Sequence, residues 1–536
     1  MSQNSPPFPT KFSIWGYLFL LPIFCYFYVL ITYWYNFPFY DDYNVELKFL
    51  LDYQSASTFF EKLKIIFAQH NEHRVATIRL LTLLDFNLRG HLNFLDLILI
   101  GNLSLVVVVW VLTTQNPLPT THNSRPTTKD SRLKTLYPLL ITILIFSFQS
   151  WDNQFWALAS VQNFGIYALV TLAIHFLVRH KLLFYLLFSL LAIATSGSGI
   201  VIIPVVLGFL ILEKRWKELV ISSVVLGLSL SLYFYQFQPS KQGISILNRI
   251  LDGQIFEIIA FFFGFLGSNF YHPSVSFLAP VVGFVGFVWV IYLTNRKYYN
   301  SNPTIYLILI FLIITAGLAA LGRSEKGIES AFPSRYRISS SIFIATCLIS
   351  MLEIIPQRFK KWAFGISFVI TITLYVLSIY FYLPRIKKNQ ELRMVDVWLV
   401  QHNMGVMGHF DTNFATPIIK KSIQSQIFEL PKEQILSKKI DFTNSVITNL
   451  DSNFTVDWIK ETNTTIAVLG WVKPAFKGKT VLLSINDSTA FQSLFVKRYD
   501  LVAKYNSLQY QDNGVFFVIP KDNWNKQKFP KRIIFK

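Results

Sequence analysis

Cysteine, charge and acidic side chains are all scarce in this chain of 536 residues, and each scarcity excludes something. The two cysteines, Cys25 and Cys347, both stand inside apolar runs, so neither a disulfide framework nor a cysteine-based zinc site is expected. Charged residues make up 15% of the chain, against roughly a quarter in soluble globular domains, which points to a polytopic membrane protein. Asp and Glu number 30 against 49 Lys and Arg, a net charge of +19. No basic stripe with interleaved aromatics accompanies that excess, so nucleic acid is not an expected partner. The excess reads instead as topological, with Lys and Arg gathered in cytoplasmic loops. Gly-x-Ser-x-Gly, P-loop and HExxH patterns are missing, which removes most soluble-type chemistries. Ionisable residues are rare inside the apolar runs, where a proton or ion pump needs them. No internal repeat stands out.

What remains is apolar: 52% hydrophobic residues, 51 of them Phe, and a mean hydropathy of +0.42. Apolar runs at 12–36, 93–113, 135–150, 157–178, 182–194, 200–212, 219–237, 275–293, 303–321, 338–353 and 362–383 give about eleven expected crossings of a bilayer. The first lacks a small-residue cleavage site and reads as a retained helix. Basic loops at 124–134, 179–181, 213–217, 295–297 and 357–361 fall on alternate connections. That pattern puts the N-terminus in the cytoplasm, and 37–92, 151–156, 195–199, 238–274, 322–337 and the C-terminal region outside. It requires 255–267 to be re-entrant or interfacial. The first outer loop carries apolar residues at Phe60, Leu63, Ile66 and Phe67, the spacing of one or two amphipathic surface helices. The expected fold is mostly α: a transmembrane helix bundle over 1–384, a helical connector over 385–440, and a small β-rich, sandwich-like outer domain over 441–536, where short alternating runs follow one another.

Unusual polar residues collect on the expected outer side. Asp41 and Asp42 follow the first span within a few residues. One suits a general base on a hydroxyl, the other a metal or a supporting hydrogen bond, and the structural alternative is a helix N-cap. "QHNEHR" (69–74) places Glu72, His73 and Arg74 on the amphipathic segment. At helical spacing His70, His73 and Arg74 share one face, and Glu72 is set to meet Arg79. These groups suit sugar hydroxyls and phosphate oxygens, or else form a solvated face of ordinary ion pairs. "GRSEKGIESAFPSRYRIS" (322–339) holds Arg323, Lys326, Arg335 and Arg337 on the side that should avoid them. Such a cluster calls for an anionic partner, a phosphate or the headgroups of membrane lipids. "TSGSG" (195–199) reads as a tight turn or a backbone cradle, and "WDNQFW" (151–156) as a polar knot between interfacial tryptophans. Glycosylation-type triplets begin at Asn453, Asn463 and Asn486.

On "YDDY" (40–43), "NEHR" (71–74) and "SRY" (334–336) the chain resembles the GT-C superfamily of polytopic glycosyltransferases, which use polyprenyl-phosphate-linked sugars. The resemblance covers roughly 12–384 and implies a lipid-linked donor whose phosphate lies near Arg335 and Arg323, with Tyr336, Glu72, His73 and Arg74 contacting substrate. It implies that Asp41 or Asp42 deprotonates a glycan, lipid or protein acceptor, with inversion at the sugar. Some relatives need a divalent cation, for which Asp42 and Glu72 are the candidate ligands of Mg²⁺ or Mn²⁺. The rival expectations are a polysaccharide polymerase or ligase acting on lipid-linked glycans, and a non-enzymatic transporter or scaffold.

Overall fold

A computed structural model describes residues 17–114, 128–238, 254–432, 437–441, 453–476, 480–484, 489–524 and 532–535. The start of the first apolar run, residues 124–127 of the 124–134 loop, residues 239–253 and the Asn486 triplet lie outside these residues. The protein is mostly α-helical, with a C-terminal antiparallel β region. Its internal contacts divide it into two compact units. One comprises Met1–Thr32, Ala56–Leu84 and Asp96–Leu383; the other comprises Tyr33–Ser55, Asp85–Leu95 and Pro384–Lys536.

Among the described residues seven helices are long and apolar enough to cross a membrane: Phe94–Thr114, Ala157–Val178, Trp216–Phe234, Leu278–Asn295, Pro303–Lys326, Ser334–Ile354 and Gln357–Gln401. They mark a multi-pass membrane protein. Their surfaces bear this out: on Trp216–Phe234 the exposed side chains include Trp216, Val220, Val224, Leu228 and Leu232, an apolar stripe at four-residue spacing that water does not favour. Four further apolar helices are shorter: Leu20–Tyr33, Leu182–Thr195, Gly197–Leu212 and Ile255–Leu266. At 1.5 Å per residue the last rises only about 18 Å, short of a hydrocarbon core of about 30 Å. It packs backbone to backbone on Leu278–Asn295. A Cβ on Gly267 would lie 1.9 Å from the Ala279 carbonyl oxygen, and one on Gly283 would lie 2.0 Å from that of Phe263. Small residues of this kind let membrane helices approach where no hydrophobic driving force separates protein from lipid.

The first loop departs from the expectation of surface helices alone. Thr58 and Glu61 form a reciprocal capping box that starts the helix Phe59–Ile66. The chain then turns through a two-stranded hairpin, Gln69–His70 against His73–Arg74, before the helix Ala76–Arg89. Asn71 at the turn has φ 49°, a left-handed conformation that Asn tolerates and that ends helical continuation. The six residues of "QHNEHR" therefore share no helix face. His70 and His73 are direct cross-strand partners, and Arg79 donates to the carbonyls of Ile65, Ile66 and Ala68.

The second unit holds two four-stranded antiparallel sheets. Arg532–Phe535 pairs with Val481–Ser484, then Thr489–Gln492, then Lys439–Asp441. Phe454–Glu461 pairs with Thr465–Val472, then Gly514–Pro520, then Leu494–Val496. Alternate residues of both sheets, including Val468, Leu483, Phe491 and Phe517, fill one apolar core. The connecting segment carries helices as far as Gln424 and runs into the strand Lys439–Asp441 at its end. The helix Gln357–Gln401 contains Pro384 at the unit boundary, and Asp411 caps Thr412–Gln424 by accepting from the Phe414 amide at 3.0 Å.

Candidate functional site

The residues singled out in the sequence fall into two constellations, one in each unit. In the membrane unit the central object is the Tyr336 ring. The Arg323 guanidinium carbon lies 4.9 Å from its centroid and that of Arg335 lies 5.2 Å from it. Among the described residues neither guanidinium has a carboxylate within ion-pair distance, although Glu72 is an electrostatic neighbour of Arg323. Two like charges over one ring are a costly arrangement that an anion relieves.

The loop bearing this pair is fixed from below by the "WDNQFW" segment. Ser334 Oγ donates to Asp152 at 2.5 Å, and Asn153 Nδ2 donates to the Arg335 carbonyl at 2.9 Å. Arg337 belongs to the scaffold. It is buried, donates to the Phe332 carbonyl and to Gln149 Oε1 at 3.1 and 2.7 Å, and reaches the Tyr382 hydroxyl.

His73 completes the group. Its Nδ1 accepts the Gly197 amide proton at 3.1 Å. Burial, then the nearby Arg323 charge, lower its pKa to about 4, so the ring is neutral at pH 7. With Nδ1 accepting, the proton sits on Nε2, which is a donor. "TSGSG" is thus a tight turn with one amide already used. Gly199 has no room for a side chain, since a Cβ would lie 2.0 Å from the Ala192 carbonyl oxygen. Arg74 is not free for substrate: it donates to the carbonyls of Tyr233, Phe67 and Tyr235 and pins the hairpin to the end of the helix Trp216–Phe234. Glu72 is exposed at the hairpin turn, and its carbonyl accepts from the Tyr233 hydroxyl at 3.2 Å.

The second unit holds the two aspartates, and it treats them differently. Asp42 is 1% exposed, and its Oδ2 accepts from the Phe39 amide at 2.9 Å. It does not cap the π-helical turn Tyr43–Lys48 that follows. Arg393, itself buried, faces Asp42, Tyr43 and Asp396 and lies 4.8 Å over the Phe39 ring. Asp396 accepts from the Met407 amide at 2.6 Å and from the Gly408 amide at 3.1 Å, which fixes the segment leading to His409. Asp41 is only half-buried and is an electrostatic neighbour of His409. Burial lowers the His409 pKa, against the opposite pull of the Asp411 carbonyl and the Asp41 charge. Burial, then Asp396 and Asp42, push the Tyr43 phenol well above its ordinary value, so it stays a neutral donor.

Sequence reasoning missed Arg393, Asp396 and His409. The signal available was "ELRMVDVWLVQ", where Arg393 and Asp396 stand three apart on an otherwise apolar helical face. As for the expected cation, no three His, Cys, Asp or Glu side chains converge among the described residues, and Asp42 is already committed to an amide and an arginine. No protein-family model, curated protein or solved structure matches the chain.

Proposed function

We propose that this protein is an integral-membrane glycosyltransferase that moves a sugar from a polyprenyl-phosphate-linked donor to an acceptor hydroxyl at the extracytoplasmic face. The observation that carries the reading is the Arg323–Tyr336–Arg335 stack, with neutral His73 beside it. Two guanidiniums, Arg323 half-buried and Arg335 exposed, with no carboxylate at ion-pair distance among the described residues, suit a phosphate ester, and their place among apolar helices suits one carried on a lipid. Asp41 is the base, because it retains exposure, whereas Asp42 supports the turn and balances Arg393.

In this reading Asp41 takes the acceptor proton and the oxygen attacks the anomeric carbon from the face opposite the phosphate. The carbon–oxygen bond to phosphate breaks, and the polyprenyl phosphate leaves with the electron pair. The sugar is inverted. Arg323 and Arg335 stabilise the charge that grows on the leaving oxygen, and the Nε2 proton of His73 is a further donor. The topology that accompanies the proposal has about eleven crossings, made by the long apolar helices, by Leu20–Tyr33, Leu182–Thr195 and Gly197–Leu212, and by Thr128–Ile145; Ile255–Leu266 does not cross, and the N-terminus is inside.

Native mass spectrometry of the detergent-purified protein tests the reading, with Arg335→Ala and Asp41→Asn variants alongside. A bound polyprenyl phosphate or its sugar conjugate is expected, lost in the arginine variant and kept in the aspartate variant. Asp41→Asn should then fail to transfer sugar from that lipid. Bulk phospholipids alone, unchanged across variants, count against an enzyme and favour a transporter or scaffold. Transfer that survives Asp41→Asn but not Arg335→Ala favours a polymerase-type mechanism.

A further inference from the structure

The second unit contains a cavity that the Arg323–Arg335 stack and the two aspartates leave unexplained. Its volume is about 820 Å³, within the usual range of roughly 300–1,000 Å³ for small-molecule sites. Its walls come from the segment 399–417, the strand Phe454–Glu461 and the segment 497–503.

Its charges are matched internally. Arg498, with 3% of its side chain exposed, donates to Asp457 at 2.5 Å and to the two oxygens of Asp500 at 2.8 and 2.6 Å. Burial opposes the Arg498 charge, yet pairing with Asp500 and Asp457 wins and raises its pKa. Asp500 is lowered by the same pairing in spite of its burial. The remaining cation, Lys497, donates to the Tyr40 hydroxyl at 2.6 Å. One arginine, one lysine and two carboxylates leave no surplus charge to recognise an ion. They leave fixed oxygen acceptors, and charge-assisted hydrogen bonds to hydroxyl groups are strong.

The rest of the lining is of two kinds. Thr412 and Asn413 offer neutral donors and acceptors at the start of the helix Thr412–Gln424. Phe410 is 62% exposed and lies on the His409 ring, with centroids 4.5 Å apart and planes 24° apart. An aromatic face held from behind and open in front, beside fixed acceptors, matches a ligand with apolar C–H faces and hydroxyl edges. We propose that this cavity binds a neutral glycan and is the acceptor site. Two of its lining residues, Lys497 and Tyr499, hold the hydroxyl of Tyr40, the residue before Asp41, with the two phenol oxygens 3.0 Å apart. The assignment rests on the reading of Asp41 as the base.

The test uses the full chain in lipid nanodiscs and fluorescently labelled hexasaccharides of glucose, mannose, galactose and N-acetylglucosamine. A galacturonic acid hexamer is the anionic counter-probe. At least one neutral hexamer is expected to bind. Phe410→Ala and Asn413→Ala should each weaken it tenfold or more with an unchanged melting temperature, because both side chains are exposed. Arg335→Ala should leave glycan binding intact. Absence of neutral binding, preference for the uronate, or indifference to both cavity variants overturns the proposal. Lipid retention is measured on the same samples. If polyprenyl phosphate is retained and no glycan binds, the acceptor site alone fails. If glycan binds and no polyprenyl phosphate is retained, the donor reading alone fails.

Discussion

Replacing Arg335 by alanine separates an arginine that grips one phosphate from one that merely rests among headgroups. A hydrogen bond to a charged group contributes about 1.5–3 kcal/mol, and the exposure of Arg335 favours the lower figure. That corresponds to a loss of roughly 10- to 100-fold in affinity for a polyprenyl phosphate. The effect on stability should be far smaller. Arg323 and Arg335 flank one ring at 4.9 and 5.2 Å, so their charges lie within about 10 Å of each other. At an effective dielectric of about 20 this is a repulsion of about 1–2 kcal/mol, weakened by salt on the exposed side. The variant removes that repulsion together with a cation–π contact of about 0.5–1 kcal/mol. The two nearly offset, and the Asn153 bond to the backbone carbonyl of residue 335 survives. The assay is titration of a fluorescent polyprenyl phosphate into nanodiscs, with phosphatidylglycerol as competitor, beside a melting curve. Equal affinity in the variant and the parent refutes the phosphate assignment. So does a loss accompanied by a large fall in melting temperature, because the arginine would then be structural.

The two aspartates are expected to differ. Asp41→Asn should fold normally and lose transfer by about 10²–10⁴-fold, whereas Asp42→Asn weakens the compensation of buried Arg393 and should cost about 3 kcal/mol of stability, read as a lowered melting temperature. His73 makes stability depend on acid. Its folded pKa of about 4 lies below the unfolded value of about 6.5, so stability should fall as pH drops from about 6.5 to about 4, and His73→Gln should flatten that slope in a melting series. Gly199→Ala should abolish folded yield on a size-exclusion trace, since its Cβ meets the Ala192 backbone at 2.0 Å; Gly197→Ala should fold, because its Cβ meets side chains and no backbone, the His73 ring at 2.8 Å and the Tyr233 hydroxyl at 3.3 Å.

The membrane class and most long helices were legible because lipid imposes a crude rule, length times hydropathy, that needs no partner to be known. The β-rich tail was legible for a similar reason: strands such as Thr465–Val472 and Gly514–Pro520 announce themselves by composition and by flanking turns. The hairpin at 69–74 was not. His70 and His73 at a spacing of three satisfy a helix face, yet the same spacing places them opposite each other across a two-residue turn. The choice was made by Arg74, whose three carbonyl partners include Tyr233 and Tyr235, more than 150 positions along the chain. Periodicity carries no information about such a hook. The basic loop shows the same limit. Charge count put Arg323, Arg335 and Arg337 in one set, while the fold keeps two over Tyr336 and buries the third on Gln149.

Tyr40 shows where local reasoning ends and the site begins. It has φ 44°, a conformation that a bulky residue with a Cβ adopts only at a cost of about 1–3 kcal/mol. Nothing in "YDDY" requires that strain, and an isolated peptide would relax it. The folded chain holds it through the phenol, which receives the Lys497 ammonium at 2.6 Å and meets the Tyr499 hydroxyl at 3.0 Å. Two hydrogen bonds, one of them charged, are of the size needed to offset the strain. Their effect is directional as well as energetic. A positive φ at position 40 reverses the chain, so Asp42 turns back to the Phe39 amide while its neighbour Asp41 keeps some exposure beside His409. Adjacent carboxylates of identical intrinsic chemistry are thereby given different surroundings, one buried and one half-exposed. The difference between them is written at positions 497 and 499, and only folding brings it to positions 41 and 42.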